Sequence, residues 1–274
     1  MGTYITHDSV RRTLGVSTDL ISDVDIDAFI IEIEALVPRF FNTVFTMTES
    51  IDIKDGDGSD RVMLLKNPVW TVRELVSDTV TELPSNLYVY REGGRVTLSN
   101  SSIVSRFPNK KNIVRIRYLY GKLDYTTTTT HLSTATAVGT NVVMTVASES
   151  GFTTGDWIDI KGTDGNYEAT HITGTGSGTI TVDQLVYTHS TNSLITKLGT
   201  SPIFTRIMNV ICAIAVVNRV LGGSYNTESA YSLGELSVTL QEPNVFWKET
   251  LNQFVQERDR LMSYIKIRPY VGGN

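Results

Sequence analysis

The chain has 274 residues, 41% of them hydrophobic and 19% charged, which supports one large domain or two smaller ones and excludes a disordered polyelectrolyte. A formal net charge of −5 and a pI near 5.4 exclude binding of nucleic acid by wholesale phosphate neutralisation, although DNA could still pass close by. The single cysteine, Cys212, excludes an intramolecular disulfide.

The opening "MGTYITHDSVRRTLG" lacks the apolar core of a signal peptide, and no apolar run approaches the ~20 residues needed to span a bilayer. The expectation is a protein kept away from membranes, in a reducing compartment. Residues 8–14 read as a short helix closed by Gly15, followed by the polar connector "STDLISD". Asp23 is a candidate N-cap, with Asp25 and Asp27 favourable to the helix dipole. Ile26, Phe29, Ile30, Ile33, Leu36, Val37, Phe40, Phe41 and Val44 then recur at helical spacing, and Pro38 is expected to kink the helix rather than end it.

The period changes after Glu49. Ile51 and Ile53 alternate with acids, "DGDGSD" intervenes and "RVMLL" follows, which predicts two strands around a tight turn. The aspartates Asp52, Asp55, Asp57 and Asp60 do not match a calcium loop, which needs glycine at its sixth position and glutamate at its twelfth. A second hairpin is predicted where Leu87, Val89, Val96 and Leu98 flank "EGG". In "NIVRIRYLYG", Val114, Ile116 and Tyr118 take one face and Ile113, Arg115 and Arg117 the other. The two arginines are either solvated or face a carboxylate or channel in an assembly.

Residues 125–198 form a block rich in Thr, Ser and Gly, with no arginine, two lysines (Lys161 and Lys197) and six acids. "NVVMTVAS", "DWIDIKG", "YEATHIT", "GTITVDQ" and "NSLITKL" read as short strands of a small barrel or sandwich. The threonine run Tyr125–Thr130 reads as an extended seam leading into this block. Helical spacing returns after Gly199. Ser201 caps, Pro202 opens and Gly222-Gly223 closes a helix with Ile203, Ile207, Val210, Ile211, Ile214, Val217 and Leu221 on its stripe. A short strand in "SLGELSVTL" precedes a last helix from Pro243 to about Lys266, lined by Trp247, Leu251, Phe254, Val255, Leu261, Met262 and Ile265.

The fold class expected is therefore α+β. A discontinuous helical domain with small hairpins, 1–124 and 199–274, would carry an inserted all-β domain at 125–198. Chemistry is sparse. His7, His131, His171 and His189 stand in no metal spacing, "GTGSGT" joins two strands rather than opening a helix, and Cys212 sits in the apolar run "IMNVICAIAVV" without a neighbouring charge. Glu32 and Glu34 do not face each other on a helix. No enzyme activity, cofactor or metal is expected.

Four stretches, in order, resemble the head–tail adaptor (connector, or head-completion) proteins of tailed phages. They are "VRRTLGVSTDLISDVDIDAFIIEIEALVPRFF", "DGDGSDRVMLLKNPV", "VRIRYLYG", and "SPIFTRIMNVICAIAVVNRVL" with "YSLGELSVTL". The resemblance covers about residues 9–124 and 199–268. In the usual pattern a proline follows the glycine within a few residues, whereas Gly121 and Pro202 here flank the whole β block.

The resemblance implies a virion protein of the neck, assembled in the host cytoplasm. It would form a ring, usually twelve-fold, below the portal protein, and the genome would pass through without sequence-specific binding. A tail or stopper protein would follow below, and the β block would point outward toward the capsid or a neck neighbour. The C-terminal segment would dock on the portal, carried onto Lys266, Ile267, Arg268, Pro269 and Tyr270. The alternative is a surface- or carbohydrate-binding β module on a helical oligomerisation platform, with Trp157, Tyr167 and Tyr187 stacking on sugars.

Overall fold

The computed structural model describes residues 4–15, 21–41, 43–77, 81–85, 88–91, 94–99, 106–163, 165–224, 230–233, 236–239 and 243–264. The chain is mixed α+β, with four helices and antiparallel sheets among the described residues. It divides into two compact units, residues 1–42 with 201–274 and residues 43–200. The strands of 43–124 thus group with the β block rather than with the helices.

The first unit contains α1 (His7–Leu14), α2 (Asp23–Phe41), α3 (Pro202–Ser224), the hairpin β14–β15 (Ala230–Leu233 and Leu236–Thr239) and α4 (Pro243–Tyr264). Thr6 and Ser9 form a reciprocal capping box at α1, and Gly15 closes it in the left-handed conformation. At α2 the cap lies one residue earlier than expected: the Asp25 amide donates to Ser22 Oγ. Asp23 is instead held by Arg11, whose guanidinium donates to its carboxylate through Nε and Nη2. Pro38 lies within α2, which ends at Phe41, so Val44 leaves the helical stripe and packs in the second unit.

α3 buries Phe204, Ile207, Met208, Val210, Cys212, Ala213, Val216 and Val217, while Ile203 is exposed. The helix extends to Ser224, past the glycine pair expected to end it. Residues 202–219 are long and apolar enough to cross a membrane, and half of that stretch is buried within the protein. Asn209 accepts from Ser9 Oγ at 2.6 Å, and Arg206 pairs with Glu257 of α4 through two bonds, which fits a core helix. Burial, with Glu34 adding to it, pushes the Cys212 thiol up to about 12, so it stays a packing residue.

The described residues of the second unit form three sheets. The central sheet has the order β1 (Thr48–Lys54), β7 (Val114–Tyr120), β3 (Val69–Ser77), β4 (Thr81–Glu82). The hairpin sheet has the order β2 (Arg61–Met63), β6 (Arg95–Leu98), β5 (Tyr88–Arg91). The large sheet has the order β8 (Asp124–His131), β13 (Leu194–Gly199), β10 (Trp157–Lys161), β11 (Tyr167–Gly176), β12 (Thr179–Leu185), β9 (Gly139–Thr145). Every pair among these described strands is antiparallel.

Two expectations change here. β1 and β2 do not form a hairpin: β1 pairs with β7 and β2 with β6. The reason is register, because Asp52 points inward and accepts from the Leu65 amide, leaving Ile51 and Ile53 outside. The "DGDGSD" loop is a turn held by its own carboxylates, with Asp57 Oδ1 accepting from the Ser59 amide and Asp55 Oδ1 from the Asn112 amide. The threonine run is itself a strand, β8, paired with β13 from Leu194↔His131 to Gly199↔Asp124. An isolated bridge, Leu132–Val146, joins the chain just past β8 to the chain just past β9, although those two strands are not themselves paired.

Gly121 ends β7 at φ +139°, where a Cβ would run into the Thr46 carbonyl. Its own carbonyl accepts from Trp70 Nε1 at 2.6 Å. One core lies under the central and hairpin sheets around Tyr118, Leu75 and Phe107. A second fills the large sheet around Ile158, Ile160 and Ile180. A third, smaller cluster of Met47, Leu119, Ala169 and Leu198, with Trp70, Leu123 and Trp157 against it, joins the central sheet to the large sheet.

Candidate functional site

The contact between the central and large sheets is polar as well as apolar. The Ala169 amide donates to Thr71 Oγ1 at 2.6 Å, and that hydroxyl donates back to the Ala169 carbonyl at 3.3 Å. Beside it the buried Arg73 reaches Asp183 at 2.7 Å and Glu49 at 3.7 Å. Burial acts to raise the Asp183 pKa, but hydrogen bonds from Arg73 and Thr170 prevail and hold it below the usual carboxylate value. Arg115 pairs with Glu74, and Arg117 lies within 3.8 Å of both Glu49 and Glu74. The two arginines left open in sequence are therefore matched by carboxylates of their own chain.

Within the large sheet, β11 sends Glu168 and His171 to opposite faces. His171 sets its ring 4.9 Å from that of Trp157. Glu168 is 1% exposed at its side chain and His189 0%, and the two lie 2.7 Å apart. The same carboxylate accepts from the amides of Val186 at 2.8 Å and Tyr187 at 3.1 Å, where the chain leaves β12. This pair is sealed from solvent and positions the 186–189 segment. Burial, then the Glu168 charge, pushes the Tyr187 hydroxyl up to about 12.

Asp159 is buried on the other face and accepts from Tyr125 Oη at 2.9 Å, and burial raises its pKa despite that bond. Lys161 lies 4.4 Å from the centre of the Tyr125 ring, and Lys197 pairs with Asp156 at 2.7 Å. Both lysines of the β block are thus engaged locally.

The segment held by Glu168 forms one wall of a cleft of about 580 Å³. Val138, Tyr167, Tyr187 and Thr188 line the large-sheet side, and Ser85, Tyr88 and Val89 line the side of the hairpin sheet. Ser85 Oγ donates to the Val186 carbonyl at 2.8 Å and ties the two walls together. Of the three aromatics expected to stack on sugars, Tyr167 and Tyr187 line this cleft, whereas Trp157 packs in the cluster against the central sheet.

A separate surface lies at the edge of the central sheet. β1 is an edge strand, and it carries Ile51 at 56% and Ile53 at 60% exposure, opposite Arg117 and Arg115 in register. Leu65 is exposed as well. The expected docking residues Lys266, Ile267, Arg268, Pro269 and Tyr270 lie outside the described residues, as does Ile265. Among the described residues, no cluster of three or more His, Cys, Asp or Glu side chains could hold a metal ion.

No protein-family model matches the chain, and neither does any curated protein.

Proposed function

We propose that the chain is a non-enzymatic structural subunit of a tailed-phage virion, a head–tail adaptor that forms a ring below the portal and continues the DNA channel. The reading rests on the ordered resemblance of its four motifs. The observation that carries it on the physical side is edge strand β1, which presents Ile51 and Ile53 to solvent. An unpaired edge with apolar side chains invites a partner strand and is a hazard in a protein that stays alone. A second copy of the chain in a closed ring removes that hazard.

In this reading residues 125–198 are an inserted domain pointing outward from the ring toward the capsid or a neck neighbour. The large sheet is read as a small barrel closing between the ends of β8 and β9, where Leu132 and Val146 bridge. Residues 266–270 dock on the portal, and a tail or stopper protein follows. The acidic total suits a channel that does not brake DNA through lysine and arginine contacts.

The test is sedimentation of the full chain beside Ile51→Glu and Ile53→Glu, singly and together. The expected result is concentration-dependent oligomers for the native chain and a shift toward monomer for the double variant. Oligomers untouched by both substitutions would remove β1 from the interface, and a native chain that stays monomeric would count against the ring.

A further inference from the structure

We infer that the cleft between the hairpin sheet and the large sheet binds an uncharged saccharide. At about 580 Å³ it falls within the roughly 300–1,000 Å³ of small-molecule sites. Among its described lining residues none bears a charge, in a protein with 24 basic and 29 acidic residues.

The lining chemistry instead matches a sugar ring. Tyr167, 54% exposed, and Tyr187 offer aromatic surface for the apolar face of a pyranose, while the exposed Thr188 can donate to its hydroxyls and Ser85 Oγ, whose proton goes to the Val186 carbonyl, can accept from them. Val89 and Val138, both exposed, flank the opening.

The site is also set before any ligand arrives. The Ser85–Val186 hydrogen bond fixes one wall to the other. Behind it, Glu168 holds the Val186 and Tyr187 amides and is itself held by His189. Binding then orders little that is not already ordered, which favours affinity. An extended peptide is the main rival, since β5 at the cleft is an edge strand. Tyr167 and Tyr187 favour the sugar, whereas Tyr88 belongs to the core beneath and gives its hydroxyl to the Val72 carbonyl.

This inference goes beyond the adaptor reading and does not depend on it. The test is calorimetry of the full chain with cellohexaose, maltohexaose and N-acetylchitohexaose, and with sialyllactose as a charged control. At least one neutral hexasaccharide is expected to bind, Tyr167→Ala to weaken it about tenfold, and Tyr167→Phe to retain it. No heat from any of the three at about 10 mM overturns the proposal. So does binding that Tyr167→Ala leaves unchanged, or sialyllactose binding equally well.

Discussion

Asp124 and Gly199 are register partners on the antiparallel strands β8 and β13, so the chain enters and leaves the 125–198 block at one place. A block whose two ends are adjacent can be removed without spanning a gap. Joining Asp124 to Gly199 through a short Gly-Ser linker is expected to leave a protein with native-like helical circular dichroism. The same deletion strips the cover from Met47, Leu119 and Trp70, so its melting temperature should fall. Loss of the helical signal would contradict the insertion reading.

Glu168 compensates three donors in a site without water access: two backbone amides and the His189 ring. Glu168→Ala leaves all of them buried and unpaired. The expected loss is about 3 kcal/mol or more, since each buried donor left unsatisfied costs about 1–3 kcal/mol. Urea unfolding midpoints measure it, and a loss no greater than that of an exposed substitution would show the pair to be dispensable.

Asp183 and Asp159 contribute to pH dependence with opposite sign. The Asp183 pKa is lowered, so its stabilisation is present above the unfolded value of about 3.9 and is lost as pH falls through the folded pKa. The Asp159 pKa is raised by burial, so ionisation costs stability near neutral pH and that cost is relieved as pH falls through its folded pKa. Asp183→Asn should therefore lower stability near neutral pH and shrink the loss seen in acid. Asp159→Asn should leave neutral-pH stability equal or higher. Urea midpoints collected from roughly pH 3 to 8 separate the two.

The helices were readable because their apolar residues recur along one face, with errors of one residue at the Ser22 cap and a few at the end of α2. Five strands of the β block were readable between their turn signals. β8 was readable only as an extended seam, because five threonines in a row carry no apolar alternation and the strand is defined by its partner β13. The β1–β2 hairpin failed because local alternation does not say which strand pairs, and the inward residue is an aspartate. The Glu168–His189 pair and the cleft walls join residues far apart in sequence, so spacing held no trace of them. Tyr167 and Tyr187 were nonetheless singled out as aromatics of the β block.

The central claim, a ring that seats below a portal, is tested most directly by electron microscopy of the full chain mixed with the portal ring encoded in the same genome. An added ring of density is expected on one end of the portal, coaxial with it and open at the centre. A portal that stays bare in saturating excess of the protein would contradict it.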